Sequence, residues 1–219
     1  YGKFTSESWG PSISFKWGWM IQEIVSPIVF SISFLCAGAD DRGITWIFFI
    51  IWNVHYLNRS ILFPLRQKQT ARCPVTIVLS AIFFNIINGF TNGYFLGYLA
   101  QYDFNYIYSV QFIIGLLVFI LGFFINVKSD NILIGIKKKH NDYQIPNGFM
   151  YKYISCPNYF GEIIEWVGFY IMTASAPALV FVFWTMCNLI PRAISNHNWY
   201  MDKFSDYPKN RKAIIPFLI

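Results

Sequence analysis

Long apolar runs separated by short polar stretches make up most of this chain. A helix needs about 20 apolar residues to cross roughly 30 Å of hydrocarbon. Four runs meet that length: Trp17 to Ala37, Ile44 to Leu65, Val75 to Leu99 and Tyr106 to Val127. Asp40-Asp41-Arg42-Gly43 forms the turn after the first. Arg66, Lys68 and Arg72, then Cys73-Pro74, follow the second. A polar loop with Lys128, Asp130, Lys137-Lys138-Lys139 and Lys152 follows the fourth. Tyr159 to Leu189 is too long for one ordinary span, and Pro177, after Ala174-Ser175-Ala176, breaks it. The pattern predicts an all-α polytopic membrane bundle of six spans, one domain over residues 1–219.

Charge chooses between one tilted helix and a hairpin over Tyr159 to Leu189. Short cytoplasmic loops retain Lys and Arg. With a hairpin, every Lys and Arg except Arg42 falls on one face. With a single helix, Arg192, Lys203, Lys209, Arg211 and Lys212 are stranded opposite the rest. The hairpin is therefore expected, with basic loops and the polar, aromatic tail on the cytoplasmic side. Only 13% of residues are charged, against about 25% in an average soluble domain. The net charge of +6 lies between apolar spans, which favours anionic lipid and phosphate over nucleic acid.

The third run carries Gly89, Gly93 and Gly97, a small residue at every fourth position. On a helix they form one stripe that lets a neighbouring backbone approach. Asn88 and Asn92 beside the stripe serve either that packing or a ligand. Glu23, His55, Glu162 and Glu165 sit in or at the ends of apolar runs. A charge at mid-bilayer costs about 2.5–3.5 kcal/mol on insertion scales, so such residues face a protein interior or a wet cavity. Glu162 and Glu165 are three apart and share one helical face. The four cysteines have no C-x-x-C spacing, and the three histidines have no metal-ligand spacing, so no disulfide framework or metal site is expected. Asn58-Arg59-Ser60 matches the glycosylation sequon, but its cytoplasmic placement makes that a chance match. No dinucleotide fingerprint or Walker loop is present, and any cofactor must be held by helix ends and loops.

Asn158-Tyr159-Phe160-Gly161-Glu162-Ile163-Ile164-Glu165-Trp166 resembles the signature of the steroid 5α-reductase family, the 3-oxo-5α-steroid 4-dehydrogenases. Trp199-Tyr200 through Phe204, Asp206-Tyr207-Pro208-Lys209, Arg211-Lys212 and Ile215-Pro216-Phe217 are similar to that family's C-terminus. Ile125-Asn126-Val127-Lys128-Ser129-Asp130, Gln22-Glu23, His55-Tyr56 with Arg59, and the opening Tyr1-Gly2-Lys3 extend the likeness along the chain. Family members usually carry one more span before the tyrosine–glycine, so these are expected to be the last six of seven. No secretory signal is read at the start.

The resemblance implies NADPH-dependent reduction of the Δ4 double bond of a 3-oxosteroid. Hydride adds at C5 and negative charge develops on the ketone oxygen. A placed donor at such an oxygen contributes about 3–4 kcal/mol. Tyr56 suits that role, since a phenol of ordinary pKa about 10 is protonated at neutral pH. Glu23 is placed to share a proton with Tyr56 or the ketone. Gln22 and Trp19 complete the implied substrate contacts. The implied NADPH positions are Asn126, Asp130, Asn158, Glu162, Trp166, Arg192, Tyr200 and Arg211, with Arg72 and Lys137 as further phosphate contacts. Arg suits phosphate through its paired donors. One departure concerns His197: the family often has consecutive histidines where this chain reads Ser195-Asn196-His197. A monomer in the endoplasmic reticulum or a bacterial inner membrane is expected. The rival readings are a membrane trans-2-enoyl-CoA or polyprenol reductase and, from another class, a small transporter. Transporters often have repeated halves, and no repeat is visible.

Overall fold

A computed structural model describes residues 10–38, 43–67, 71–140 and 142–219. The Tyr1-Gly2-Lys3 match, the Asp40-Asp41-Arg42 turn and Lys68 lie outside them. The chain divides into two compact units, Tyr1–Ile107 and Tyr108–Ile219.

In the first unit, β1 (Ser12–Ser14) pairs antiparallel with β2 (Arg72–Pro74). This small ladder departs from the all-α expectation. Its residues carry no apolar alternation to announce it, and it depends on pairing across some sixty positions. α1 (Phe15–Cys36) follows directly and α2 spans Thr45–Leu57. α2 runs on through a π-helical turn, Asn58–Leu62, into α3 (Phe63–Arg66), so Thr45 to Arg66 is one helical run. α4 (Val75–Tyr94) ends in a second π-turn, Phe95–Leu99, and the two together match the predicted third span.

The glycine stripe holds α4 on α1. A Cβ on Gly89 would stand 2.8 Å from the Ser26 carbonyl oxygen, and Gly93 and Gly97 lie as tightly on the Phe30 and Phe34 carbonyls. Packing is thus the role of the stripe. Next to it, Phe30 stacks on Trp52 at 4.6 Å, with Phe34 and Phe48 equally enclosed.

In the second unit, Ser109 caps α5 (Val110–Lys139), its hydroxyl accepting from the Phe112 amide at 3.1 Å. α5 does not end at Val127 as the hydropathy predicts. Lys128 to Lys139 continue it, because Ser129, Asp130 and Ile134 keep its buried stripe and lysines suit a helix C-terminus. Asp130 and Lys137-Lys138-Lys139 therefore ride on a helix rather than in a loop. α6 (Pro157–Thr173) runs antiparallel along it. Gly115 faces Met172, Gly168 faces Phe119, Gly122 faces Glu165 and Gly161 faces Asn126, the glycines alternating between the helices. A Cβ on Gly161 would meet the Asn126 amide nitrogen at 2.5 Å. The expected break falls at Ala174, in the left-handed region at φ 46°, and Ser175, whose hydroxyl caps α7 (Ala176–Lys203). α7 carries the helix on to Lys203, well past Leu189. The remaining tail folds back on the segment before α6: the Ser155 amide donates to Lys212 O at 2.8 Å and the Cys156 amide to Ala213 O at 3.1 Å.

Among the described residues, four helices are long and apolar enough to cross a membrane: Phe15–Cys36, Val75–Leu99, Val110–Lys139 and Ala176–Lys203.

Candidate functional site

The first unit gathers the residues implied for the substrate. Gln22 and Glu23 lie on the second turn of α1, where the Gln22 side-chain amide donates to the Glu23 carboxylate at 3.0 Å. Gln22 is buried and Glu23 half-buried. Tyr56, 3% exposed, comes from the last turn of α2, flanked by Trp52 and His55 with ring centroids at 5.2 and 5.0 Å. The π-turn begins two residues later, and such turns recur at functional sites. Within it, Ser60 donates to the Tyr56 carbonyl at 2.6 Å. Arg59, buried in the same turn, lies 4.8 Å from the Trp19 ring, and Trp19 Nε1 donates to Arg59 O at 3.0 Å. Trp19 is thereby tied to the helix that carries Tyr56.

Sequence reasoning missed Asn85. Its buried side-chain amide donates to the Gln22 carbonyl at 2.7 Å and joins α4 to α1 at the Gln22–Glu23 step. An asparagine in an apolar run one turn before Gly89 was the available signal. Asn85→Ala is expected to cost about 0.5–1.5 kcal/mol of stability, read as a lowered Tm in detergent.

Arg72 is also in the first unit. Its guanidinium donates to Ser12 Oγ at 2.9 Å and, through its terminal nitrogen, to the Ser12 carbonyl, stitching β1 to β2.

The second unit gathers most of the positions implied for the cofactor. Gly161 brings α6 against Asn126, and a chain of contacts forms there. Asn126 Nδ2 donates to Asn158 O, and Asn158 Nδ2 donates to Asp130 Oδ1, each at 3.0 Å. Asn126 and Asp130 are buried, with Asn158 half-buried between them. One turn on, Glu162 is half-buried, and Glu165 is 0% exposed against Gly122. Trp166 is enclosed by Phe119, Phe169 and Phe181, so its ring packs the helix core.

A second cluster joins the end of α7 to the tail. Tyr200 stacks on Tyr207 at 5.4 Å, and the Arg211 guanidinium carbon lies 5.1 Å from the centroid of the same Tyr207 ring. Arg211, buried, donates to Pro146 O at 2.9 Å and to Asn147 Oδ1 at 2.8 Å, while its Nε is buried with no hydrogen-bond partner among the described residues. A recess of about 390 Å³ opens beside it, lined by Gln144, Asn147, Phe204 and Asp206 among others. His197 Nδ1 and the Tyr207 hydroxyl each lie 2.6 Å from Ser155 Oγ, so His197 belongs to a local network. Arg192 is half-buried on α7, and Lys137 Nζ sits 4.6 Å over the Tyr143 ring. Sequence reasoning missed Ser155 and the pairing role of Tyr207, which depend on the tail folding back.

Tyr151, before α6, donates to Ser129 O at 3.2 Å. Burial, and then the charge of Asp130, push this phenol well above its ordinary value. A raised folded-state value means the contact is fully present below the unfolded value of about 10 and is lost as pH rises through the folded one. Stability is therefore expected to fall above about pH 10, and Tyr151→Phe to flatten that decline in thermal melts.

Among the described residues no cluster of His, Cys, Asp or Glu could hold a metal. All four cysteines are free thiols.

The family model described as 3-oxo-5-alpha-steroid 4-dehydrogenase matches residues 71–219. A steroid 5-alpha-reductase of Gossypium hirsutum is 39% identical, over 100% of this chain and 87% of the relative. The 3-oxo-5-alpha-steroid 4-dehydrogenase 1 of Bos taurus is 34% identical over the same shares. The enzyme of that name from Homo sapiens is 32% identical, over 100% of this chain and 85% of its own. The chain belongs to the 3-oxo-5-alpha-steroid 4-dehydrogenase family and is an oxidoreductase acting on CH–CH groups.

Proposed function

We propose that this protein reduces the Δ4 double bond of 3-oxosteroids to 5α-3-oxosteroids with NADPH, from within a membrane. The observation that carries the reading is the Asn126–Asn158–Asp130 chain, which unites two separately recognised segments across the α5–α6 contact. The residues fit a phosphorylated dinucleotide. Asp130 and the two asparagines offer ribose and carboxamide contacts, and the unpartnered Arg211 Nε is a donor suited to phosphate. Glu162, Arg192, Tyr200, Lys137 and Arg72 are further cofactor contacts in this reading, and Trp166 holds α6 in place for them. When bound, the reduced nicotinamide supplies the hydride for C5.

Tyr56 donates to the 3-oxo oxygen and stabilises the charge that develops there. Glu23, steadied by Gln22, shares the proton of that hydrogen bond. Trp19, tied to Arg59, lines the same pocket. A proton from solvent completes C4. The enclosing helices exclude bulk water, which strengthens the Tyr56 contact.

Six spans are proposed, the four long apolar helices together with the run from Thr45 to Arg66 and α6. The basic segments then face the cytoplasm, in endoplasmic reticulum or a bacterial inner membrane, and the protein acts as a monomer. The test is a product assay in liposomes with NADPH, offering testosterone, progesterone and an enoyl-CoA. The expected result is 5α-reduced steroid and an untouched enoyl-CoA. Consumption of the enoyl-CoA alone identifies a related enone or enoyl reductase instead.

A further inference from the structure

The asparagines beside the glycine stripe are not used up by helix packing. Asn92 Nδ2 donates to Asn88 O and to Asn88 Oδ1, both at 3.0 Å, so the two carboxamides are in contact. That pairing leaves Asn88 Nδ2 and Asn92 Oδ1 buried with no partner among the described residues. Ser26 Oγ on α1 is in the same state. It lies at the same level, since Gly89, next to Asn88, rests on the Ser26 carbonyl. The three residues are 5%, 1% and 0% exposed. Leaving a buried polar group unsatisfied costs about 1–3 kcal/mol, and three within two helical turns call for an occupant.

The unsatisfied set comprises an amide donor, an amide acceptor and a hydroxyl able to act either way. A ketone or ether would satisfy only donors, and an ammonium only acceptors. A hydroxyl group both accepts from Asn88 Nδ2 and donates to Asn92 Oδ1. We propose that Ser26, Asn88 and Asn92 form a hydroxyl-binding site inside the first unit, filled either by a hydroxyl of the bound steroid or by a water molecule. The steroid source rests on the function proposed above. Asn92 lies seven residues along α4 from Asn85, which holds the Gln22–Glu23 step, a rise of about 10 Å at 1.5 Å per residue. That separation is comparable with a steroid nucleus whose 3-oxo end lies at Glu23.

The test compares testosterone with the analogue lacking its hydroxyl group, on the wild type, Asn88→Leu and Ser26→Ala, and adds an experimental density map of the ligand-free wild type. Ser26→Ala keeps the comparison available if Asn88→Leu does not fold. A steroid hydroxyl in the site gives the wild type a KM about tenfold lower for testosterone than for the analogue, and the variants abolish the difference. A water in the site gives equal KM values and a density peak within hydrogen-bond reach of Asn88 Nδ2 and Asn92 Oδ1. The absence of both, equal KM values with no density peak at the site, overturns the proposal. If the wild type reduces neither steroid, the proposed function fails, and the map still decides whether the site binds water.

Discussion

Tyr56→Phe is expected to lower turnover of a 3-oxo-4-ene steroid by about 10²–10³-fold, with NADPH affinity unchanged. The substitution removes one hydroxyl and keeps the ring contacts with Trp52 and His55. Glu23→Gln keeps the shape and the contact with Gln22 but cannot share a proton, and a comparable loss is expected. Both are measured as kcat in liposomes beside NADPH binding by intrinsic fluorescence. Turnover unchanged in both variants would remove the pair from the chemistry. Loss of NADPH binding in either would mean that the pair serves the fold or the cofactor.

The second large effect is mechanical. Gly161→Val puts a branched side chain where even a Cβ meets the Asn126 backbone at 2.5 Å. Backbone cannot yield as a flexible side chain does, so the helices must separate. Overpacking of this kind costs about 1–3 kcal/mol and sometimes more. Separation also parts Asn126 from Asn158 and Asn158 from Asp130, so cofactor binding and stability should be lost together. Gly135, on the same helix α5 with nothing within 4 Å of its would-be Cβ, is the control. Gly135→Ala should leave binding intact and add up to about 1 kcal/mol of stability. Thermal melts with and without NADPH read both variants, and retained binding in a folded Gly161→Val would disprove the coupling.

Much of this organisation could be read before any coordinates. The run from Val75 to Leu99 and the break beside Pro177 follow from hydropathy and from the chemistry of proline, both local. The packing role of Gly89, Gly93 and Gly97 follows from a spacing of four on one helix. Gly115, Gly122, Gly161 and Gly168 went unread, because a spacing of seven signifies little until two helices are known to lie antiparallel. Hydropathy ended α5 too soon, since a helix leaving the apolar region needs only its buried face to continue. Asn85, Ser155 and the pairing of Tyr207 stayed hidden because each acts on a partner far away in the chain, and polar residues of their kind are common. In the same way Trp166, matched to a binding motif, turned out to be enclosed by phenylalanines.

The reach of α5 has a consequence for the lipid around it. Thirty residues at 1.5 Å each give about 45 Å, against roughly 30 Å of hydrocarbon. The surplus carries Asp130 and the three lysines towards the headgroups, where the acyl-chain length of the host membrane sets their depth. Thicker bilayers would draw these groups towards oil and thinner ones would release them to water. Under the proposed function, NADPH affinity should therefore vary with the lipid used for reconstitution, even with every side chain unchanged.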